Sequence, residues 1–249
     1  MFAFVMIVSL IYKDMIIFLF IMNTNPLIIH VNAGTGNQLF MLFAGISKAI
    51  DEKRKFIIFA NPRNDRINFC NYDFYSYLSP HIITDVNKYQ FKNKNNIAIH
   101  FRLGDVYKNN LRVLSSNYYI DALNTLKEKL GDNDFYNYNF IVFSEKEDDN
   151  IVTKQINEMN SNFENKLNII KIYDCYNDNN LNDFEELILM SNCDHFIMSN
   201  STYSWWGSYL CKNKNKIVIC PFNSVMTLQD ENFNRPDYYP DNYIQIKTT

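Results

Sequence analysis

Apolar and polar positions along the chain fall into short runs of two kinds. Residues 27–31 are a β-branched run directly after Pro26 and predict a strand. A loop at 32–36 follows. Apolar residues at Leu39, Phe40, Phe43, Ile46 and Ile50 then keep helical spacing and predict a helix over 37–50. Residues 56–59 predict a second strand. Residues 61–96 are polar, aromatic and poorly periodic, and they end on the solvated run Lys92-Asn93-Lys94-Asn95-Asn96. Beyond it the pattern alternates. Strands are predicted at 97–101, 139–143, 167–172, 195–198 and 216–220, with helices at 117–130, 151–159, 181–192 and 203–211. Gly131 ends the first of these helices.

Strands that alternate with helices predict an α/β fold of parallel sheets covered on both faces. The linker divides a lobe over 23–96 from one over 97–249. Open parallel sheets bind ligands beyond the carboxyl ends of their strands, so function is expected in the loops after Val31, Phe101, Phe143 and Met198. Residues 1–22 stand apart. They are two apolar runs interrupted by Lys13 and Asp14, whose charges cost about 5 to 7 kcal/mol in a bilayer and offset most of the gain from the apolar residues. The segment reads as a marginal anchor offering membrane association, or as an extension ahead of a start at Met22.

Composition narrows the function. A net charge of −3 with no basic stripe argues against nucleic acid as a partner. Five cysteines, an odd number without a CxxC pair, and four histidines without HExxH spacing argue against a disulfide framework or a metal centre. The abundant asparagine reads as coding bias, not as a binding signal.

Three segments carry candidate chemistry. In the first, His100-Phe101-Arg102-Leu103-Gly104-Asp105 closes a strand, which places Arg102 for bidentate contact with a phosphate. The alternative reading pairs Arg102 with Asp105 as a structural ion pair and makes His100 a satisfied core residue. In the second, Gly34-Thr35-Gly36-Asn37-Gln38 lies between a strand and a helix, where small residues let an anion approach backbone N–H groups. It lacks the GxGxxG and GK[ST] patterns, and an ordinary capped turn is the alternative. In the third, Ser199-Asn200-Ser201-Thr202-Tyr203-Ser204-Trp205-Trp206-Gly207 opens a helix after a strand. Its hydroxyls serve equally to cap that helix or to hold a phosphate. Asn200-Ser201-Thr202 is also a glycosylation sequon, expected to stay unmodified. Asp132-Asn133-Asp134 matches a metal-binding Asp-x-Asp only formally and reads as a solvated loop. Residues 145–149 read as a charged helix start whose first residues border the crevice.

Taken in order, the three segments resemble the α-1,2-fucosyltransferase family, over roughly residues 28–221. The resemblance implies a GT-B-like pair of Rossmann-type lobes, the first, on the acceptor side, shortened. It implies GDP-fucose as donor substrate, no separate cofactor, no required metal, and inverting transfer to a galactoside-type glycan acceptor. Carried over residue by residue, Arg102 neutralises the β-phosphate and His100 lines the nucleotide pocket. Gly36, Asn37 and Gln38 approach the donor from the first lobe, while Asn200, Ser201, Thr202 and Ser204 hold the diphosphate. Asp105 is the candidate base. Leu103 stands where the family usually has a second Arg, which predicts weaker donor binding or a different preferred nucleotide sugar. A transferase for another nucleotide sugar and a glycan- or nucleotide-binding relative without turnover are the competing readings.

Overall fold

The computed structural model describes residues 27–31, 34–52, 54, 56–60, 91, 95–104, 113–175, 181, 183–222 and 238–247. The segment 1–22, most of 61–96, Asp105 and Cys70 lie outside them. The chain divides into two units, residues 1–90 with 182–185, and residues 91–181 with 186–249.

In the first unit, β1 (Leu27–Val31) and β2 (Phe56–Ala60) pair in parallel across α1 (Thr35–Asp51), with Leu27 opposite Phe56. Helix α1 buries Leu39, Leu42, Ile46 and Ala49, one stripe of its surface, against β1. A Cβ on Gly45 would stand 2.6 Å from the Ile29 side chain, so glycine is what lets helix and strand approach. The helix begins two residues before the apolar pattern does, because Gly34 serves as its N-cap and Gln38 N–H donates to Gly34 O at 3.0 Å. Thr35 Oγ1 donates to Asp183 Oδ2 at 2.9 Å.

The second unit is one parallel sheet of six strands. In chain order it runs β3 (Asn96–His100), α2 (Ser116–Leu130), α3 (Asp132–Phe135), β4 (Asn139–Phe143), a 3-10 turn (Lys146–Asp148), α4 (Asp149–Asn160), β5 (Asn168–Lys171), α5 (Ile172–Cys175), α6 (Asp183–Ser191), β6 (His195–Ile197), α7 (Thr202–Leu210), β7 (Val218–Pro221) and β8 (Ile244–Ile246). The first turn of α6 groups with the first unit. Across the sheet the order is β5-β4-β3-β6-β7-β8, which is the doubly wound Rossmann order, with its reversal between β3 and β6. Strands β3, β4 and β7 are buried almost throughout, as a sheet covered on both faces requires.

Asparagines pin the amino end of this sheet. Asn96, Asn139 and Asn168 stand opposite one another on β3, β4 and β5. Asn168 Nδ2 donates to Asn139 Oδ1 at 2.7 Å, and Asn139 Nδ2 donates to Asn96 Oδ1 at 3.1 Å. Asp194 holds the same edge of β6, accepting from Asn96 N–H at 2.9 Å and donating its own N–H to Asn96 O at 2.7 Å. Some residues that read as coding bias therefore hold strand register.

Three short elements escaped the periodicity. Strand β8 has only three residues, too few to show a period. Helix α3 forms where a solvated loop was expected, because Gly131, at φ 81°, reverses the chain and its carbonyl accepts Phe135 N–H at 3.0 Å. Asp132 and Asp134 are exposed there, beside the amino end of β4, where a donor is not expected. Helix α5 likewise closes one turn at the end of β5.

Helix α7 is stopped by Lys216, whose ammonium donates to Ser208 O at 2.7 Å and Cys211 O at 2.9 Å, covering carbonyls that lack helical partners. Its buried face meets α6 through Gly207. A Cβ there would collide with Met190 Sδ and lie 2.8 Å from Met190 Cγ. Gly207→Ala is therefore expected to cost about 1–3 kcal/mol of stability by overpacking. Urea melts of Gly207→Ala, Met190→Ala and the double variant check this. The double variant should cost less than the two single changes summed.

Candidate functional site

Strands β3 and β6 end side by side at the reversal of the sheet and then separate. The backbone groups at that split are buried, and helix α2 satisfies two of them. Tyr118 Oη donates to Met198 O at 2.6 Å, and Tyr119 Oη donates to His100 O at 3.0 Å. Both phenols are buried, which pushes their pKa values well above the usual tyrosine range and keeps the donating hydrogens in place. This pair was absent from the sequence reading. Its signal was faint: two tyrosines together at the start of an amphipathic helix look like packing alone.

The crossing from β3 to β6 is made by side chains. His100 Nδ1 lies 2.7 Å from Ser199 Oγ, and the imidazole faces the Tyr203 ring at 5.6 Å. The residue is only 9 % exposed. Burial first, and the Arg102 charge second, lower its pKa from 6.5 to about 3, so it is neutral at physiological pH. Arg102 is half-buried, and its guanidinium donates to Ser201 Oγ at a long 3.4 Å. Ser201 is the N-cap of α7, its hydroxyl accepting Tyr203 N–H at 3.2 Å.

Six of the expected site residues, His100, Arg102, Asn200, Ser201, Thr202 and Ser204, thus come together in this unit at the carboxyl ends of β3 and β6. They are not equally open. Arg102 and Thr202 are half-buried, while the other four are buried. Ser204 Oγ donates inward to Ser201 O at 3.2 Å, the posture of a side chain that shapes the turn. Asn200, 3 % exposed, is closed to glycosylation in the folded chain. Gly36, Asn37 and Gln38 stand together in the first turn of α1 in the other unit, with only Asn37 half-exposed. Asp105 lies outside the described residues, and so does any pairing with Arg102.

Leu103 lies one residue beyond Arg102. It is 3 % exposed and packs in the core with Phe101, Leu114, Tyr118 and Tyr119. A guanidinium on this backbone position would be driven into apolar surroundings. Leucine here is a packing residue.

Chemically, the arrangement brings the Arg102 guanidinium to the N-terminus of a nine-residue helix at the switch point of a Rossmann-order sheet. A guanidinium and a helix N-terminus are groups chemically suited to an anion. Among the described residues no group of three His, Cys, Asp or Glu side chains is placed to hold a metal, and the cysteines at 175, 193, 211 and 220 are free thiols. Among those residues no helix is long and apolar enough to cross a membrane.

A family model described as Glycosyl transferase family 11 matches residues 70–247. The chain belongs to that family. It is similar to an alpha-1,2-colitosyltransferase of Escherichia coli, 30% identical over 159 residues, covering 61% of this chain and 48% of the relative. It is also similar to the O-antigen biosynthesis glycosyltransferase WbnK of Escherichia coli, 28% identical over 192 residues, covering 75% of this chain and 54% of the relative. The chain therefore spans about half the length of these curated relatives. Among solved structures, a glycosyl transferase family 9 protein from Veillonella parvula DSM 2008 aligns with a TM-score of 0.41 at 10% identity, covering 97% of this chain and 66% of that one. The family 11 match includes the whole second unit apart from its last residues, and with it the β3–β6 crossing.

Two outcomes are expected from this geometry. Tyr118→Phe leaves Met198 O buried without its donor and should destabilise the chain by about 1–3 kcal/mol, read from urea melts. His100, with its pKa lowered from 6.5 to about 3, favours folding fully above pH 6.5, and that contribution is lost as pH falls from 6.5 towards 3. Stability of wild type against His100→Gln across that window checks it: the wild type should lose up to about 4 kcal/mol more than the variant.

Proposed function

We propose that this family 11 glycosyltransferase takes L-fucose, or a closely related deoxyhexose, from a GDP-sugar. The acceptor is a galactoside-type hydroxyl, the product linkage α-1,2, and the transfer inverting and metal-independent. The observation that carries this reading is the convergence of Arg102 with the N-terminus of α7 at the switch point. The α-1,2 linkage in the name of the colitosyltransferase relative supports the regiochemistry. The same name favours a second reading, in which colitose, a 3,6-dideoxyhexose, replaces fucose.

The acceptor oxygen attacks the anomeric carbon as the bond from that carbon to the diphosphate oxygen breaks. The acceptor proton passes to a carboxylate, with Asp105 the candidate from sequence. Charge grows on the leaving diphosphate, where Arg102 and the N–H groups at Thr202 stabilise it more strongly than in the bound donor. Low-dielectric surroundings strengthen this contact, and the neutral imidazole of His100 leaves the positive charge on Arg102 undiluted by repulsion.

The test is a donor screen with chelator present, over GDP-fucose, GDP-colitose and UDP- and dTDP-sugars, reading both melting temperature and transfer. A GDP-sugar at a hundredfold excess over its dissociation constant should add about 2.7 kcal/mol of stability. Arg102→Ala should cut transfer about 100- to 1,000-fold while the chain stays folded, and Arg102→Lys should recover it only in part. A shift that requires manganese, or binding without any transfer, would overturn the proposal. So would a folded Arg102→Ala chain with normal activity.

A further inference from the structure

His195 stands in for a backbone carbonyl. It opens β6 and is 5 % exposed. Strands β6 and β7 are parallel, with Phe196 opposite Val218, and Phe196 N–H donates to Ile217 O at 2.9 Å. Carried one rung towards the amino end, that ladder would send Ile217 N–H to Asp194 O. Asp194 O instead accepts Asn213 Nδ2 at 3.1 Å. Ile217 N–H turns to the side chain and donates to His195 Nδ1 at 3.0 Å. A ring nitrogen that accepts has no hydrogen of its own, so the neutral imidazole carries its hydrogen on Nε2. That nitrogen lies 3.2 Å from Tyr138 Oη, just before β4, and the two rings meet edge-on at 5.3 Å. Past Ile197 the chain runs on through Ser199 to Ser201, the N-cap of α7.

We propose that His195 is an acid-released latch: its imidazole closes the amino end of the β6–β7 pair, and uptake of a proton at Nδ1 opens that end. The latch is a property of the fold, whichever sugar is transferred. A proton from solvent converts the Nδ1 lone pair into an N–H group. Two N–H groups then face each other, and the Ile217 bond is lost. Strand β6 has only three residues, so one rung is a large part of what ties it to β7. Burial, the larger effect, lowers the pKa of the ring, while the neighbouring Asp194 charge favours the protonated form. Tyr138 is kept a neutral phenol by burial first and then by the Asp194 and Asp134 charges. Lys216, which leads into β7, donates its ammonium to Ser208 O and Cys211 O. Cys211, whose Sγ donates to Cys193 O, is held as a thiol by burial. The closed latch is thus the neutral form. Once released, the imidazole takes its proton near pH 6.5, and while closed only at lower pH, so acid drives the opening.

The experiment is amide hydrogen exchange on the full, isotope-labelled chain from about pH 8 to about pH 5, with the intrinsic pH dependence of exchange divided out. Protection of the Ile217 amide should be flat above about pH 6.5 and fall by up to about tenfold per pH unit below it, the slope of a single proton. At about pH 7 this amide should also exchange faster than the amides of β4, which marks a local opening. In His195→Asn, whose Oδ1 takes the place of Nδ1 without titrating, the slope should be shallower by that same factor. An equal slope in the variant, or an Ile217 amide that exchanges only together with β4, would overturn the inference. If His195→Asn does not fold, the imidazole nitrogen resonances of the wild type decide. Nδ1 should be bare at neutral pH and take up its proton at the pH where Ile217 begins to lose protection. A hydrogen on Nδ1 at neutral pH, or a proton taken up with no change at Ile217, overturns the latch.

Discussion

Everything at this site follows from the parting of two neighbouring strands. Parallel strands satisfy each other's backbone groups only while they remain adjacent, and β3 and β6 stop being adjacent at their carboxyl ends. A crevice opened inside a buried sheet strands carbonyls in a place that water does not reach, at a cost comparable to a lost hydrogen bond for each. The hydroxyls of Tyr118 and Tyr119 meet that cost from one side, delivering donors to Met198 O and His100 O. Because one helix supplies both, it also fixes how far apart the two strand ends stand.

With the ends held, the electrostatics become simple. Helix α7 follows β6, and its N-cap Ser201 meets the guanidinium of Arg102, which follows β3. A charged imidazole between them would oppose the guanidinium. Burial removes that charge and turns His100 into a neutral tie to Ser199. Ser201 and Ser204 look like phosphate ligands in sequence, yet here they bond chiefly to the turn that presents the helix. The hydroxyl-rich segment serves first to build an N-terminus of defined direction.

Much of the second unit was legible because its elements obey strong local rules. The runs at 97–101 and 139–143 are strands, Gly131 terminates a helix with a positive φ, and six of the expected site residues gather at the ends of β3 and β6. What escaped was whatever depends on distant partners. Leu103 sits one residue from a candidate ligand, yet it belongs to the core, and only the packing around it decides that. The hydroxyl partners of Tyr118 and Tyr119 lie 80 and 19 residues away, beyond the reach of any local pattern. Asp148 was one acid in a charged run; its carboxylate accepts Gly104 N–H at 2.8 Å, a bond that crosses between two loops. The asparagine ladder was hidden by abundance, since a common residue gives no contrast where it matters.

That ladder acts as the zero mark of a ruler. Asn96 is tied laterally to Asn139 and through it to Asn168, so the start of β3 cannot slide along its neighbours without breaking the amide chain. Arg102 is six residues further on, about 20 Å along an extended strand. With the origin fixed, β3 cannot absorb an inserted or deleted residue by shifting register backwards. The whole error, about 3.3 Å, would arrive at Arg102 and turn its side chain to the opposite face. The length of this strand is thus a calibrated quantity, set by amides at one end of the sheet and read by a guanidinium at the other.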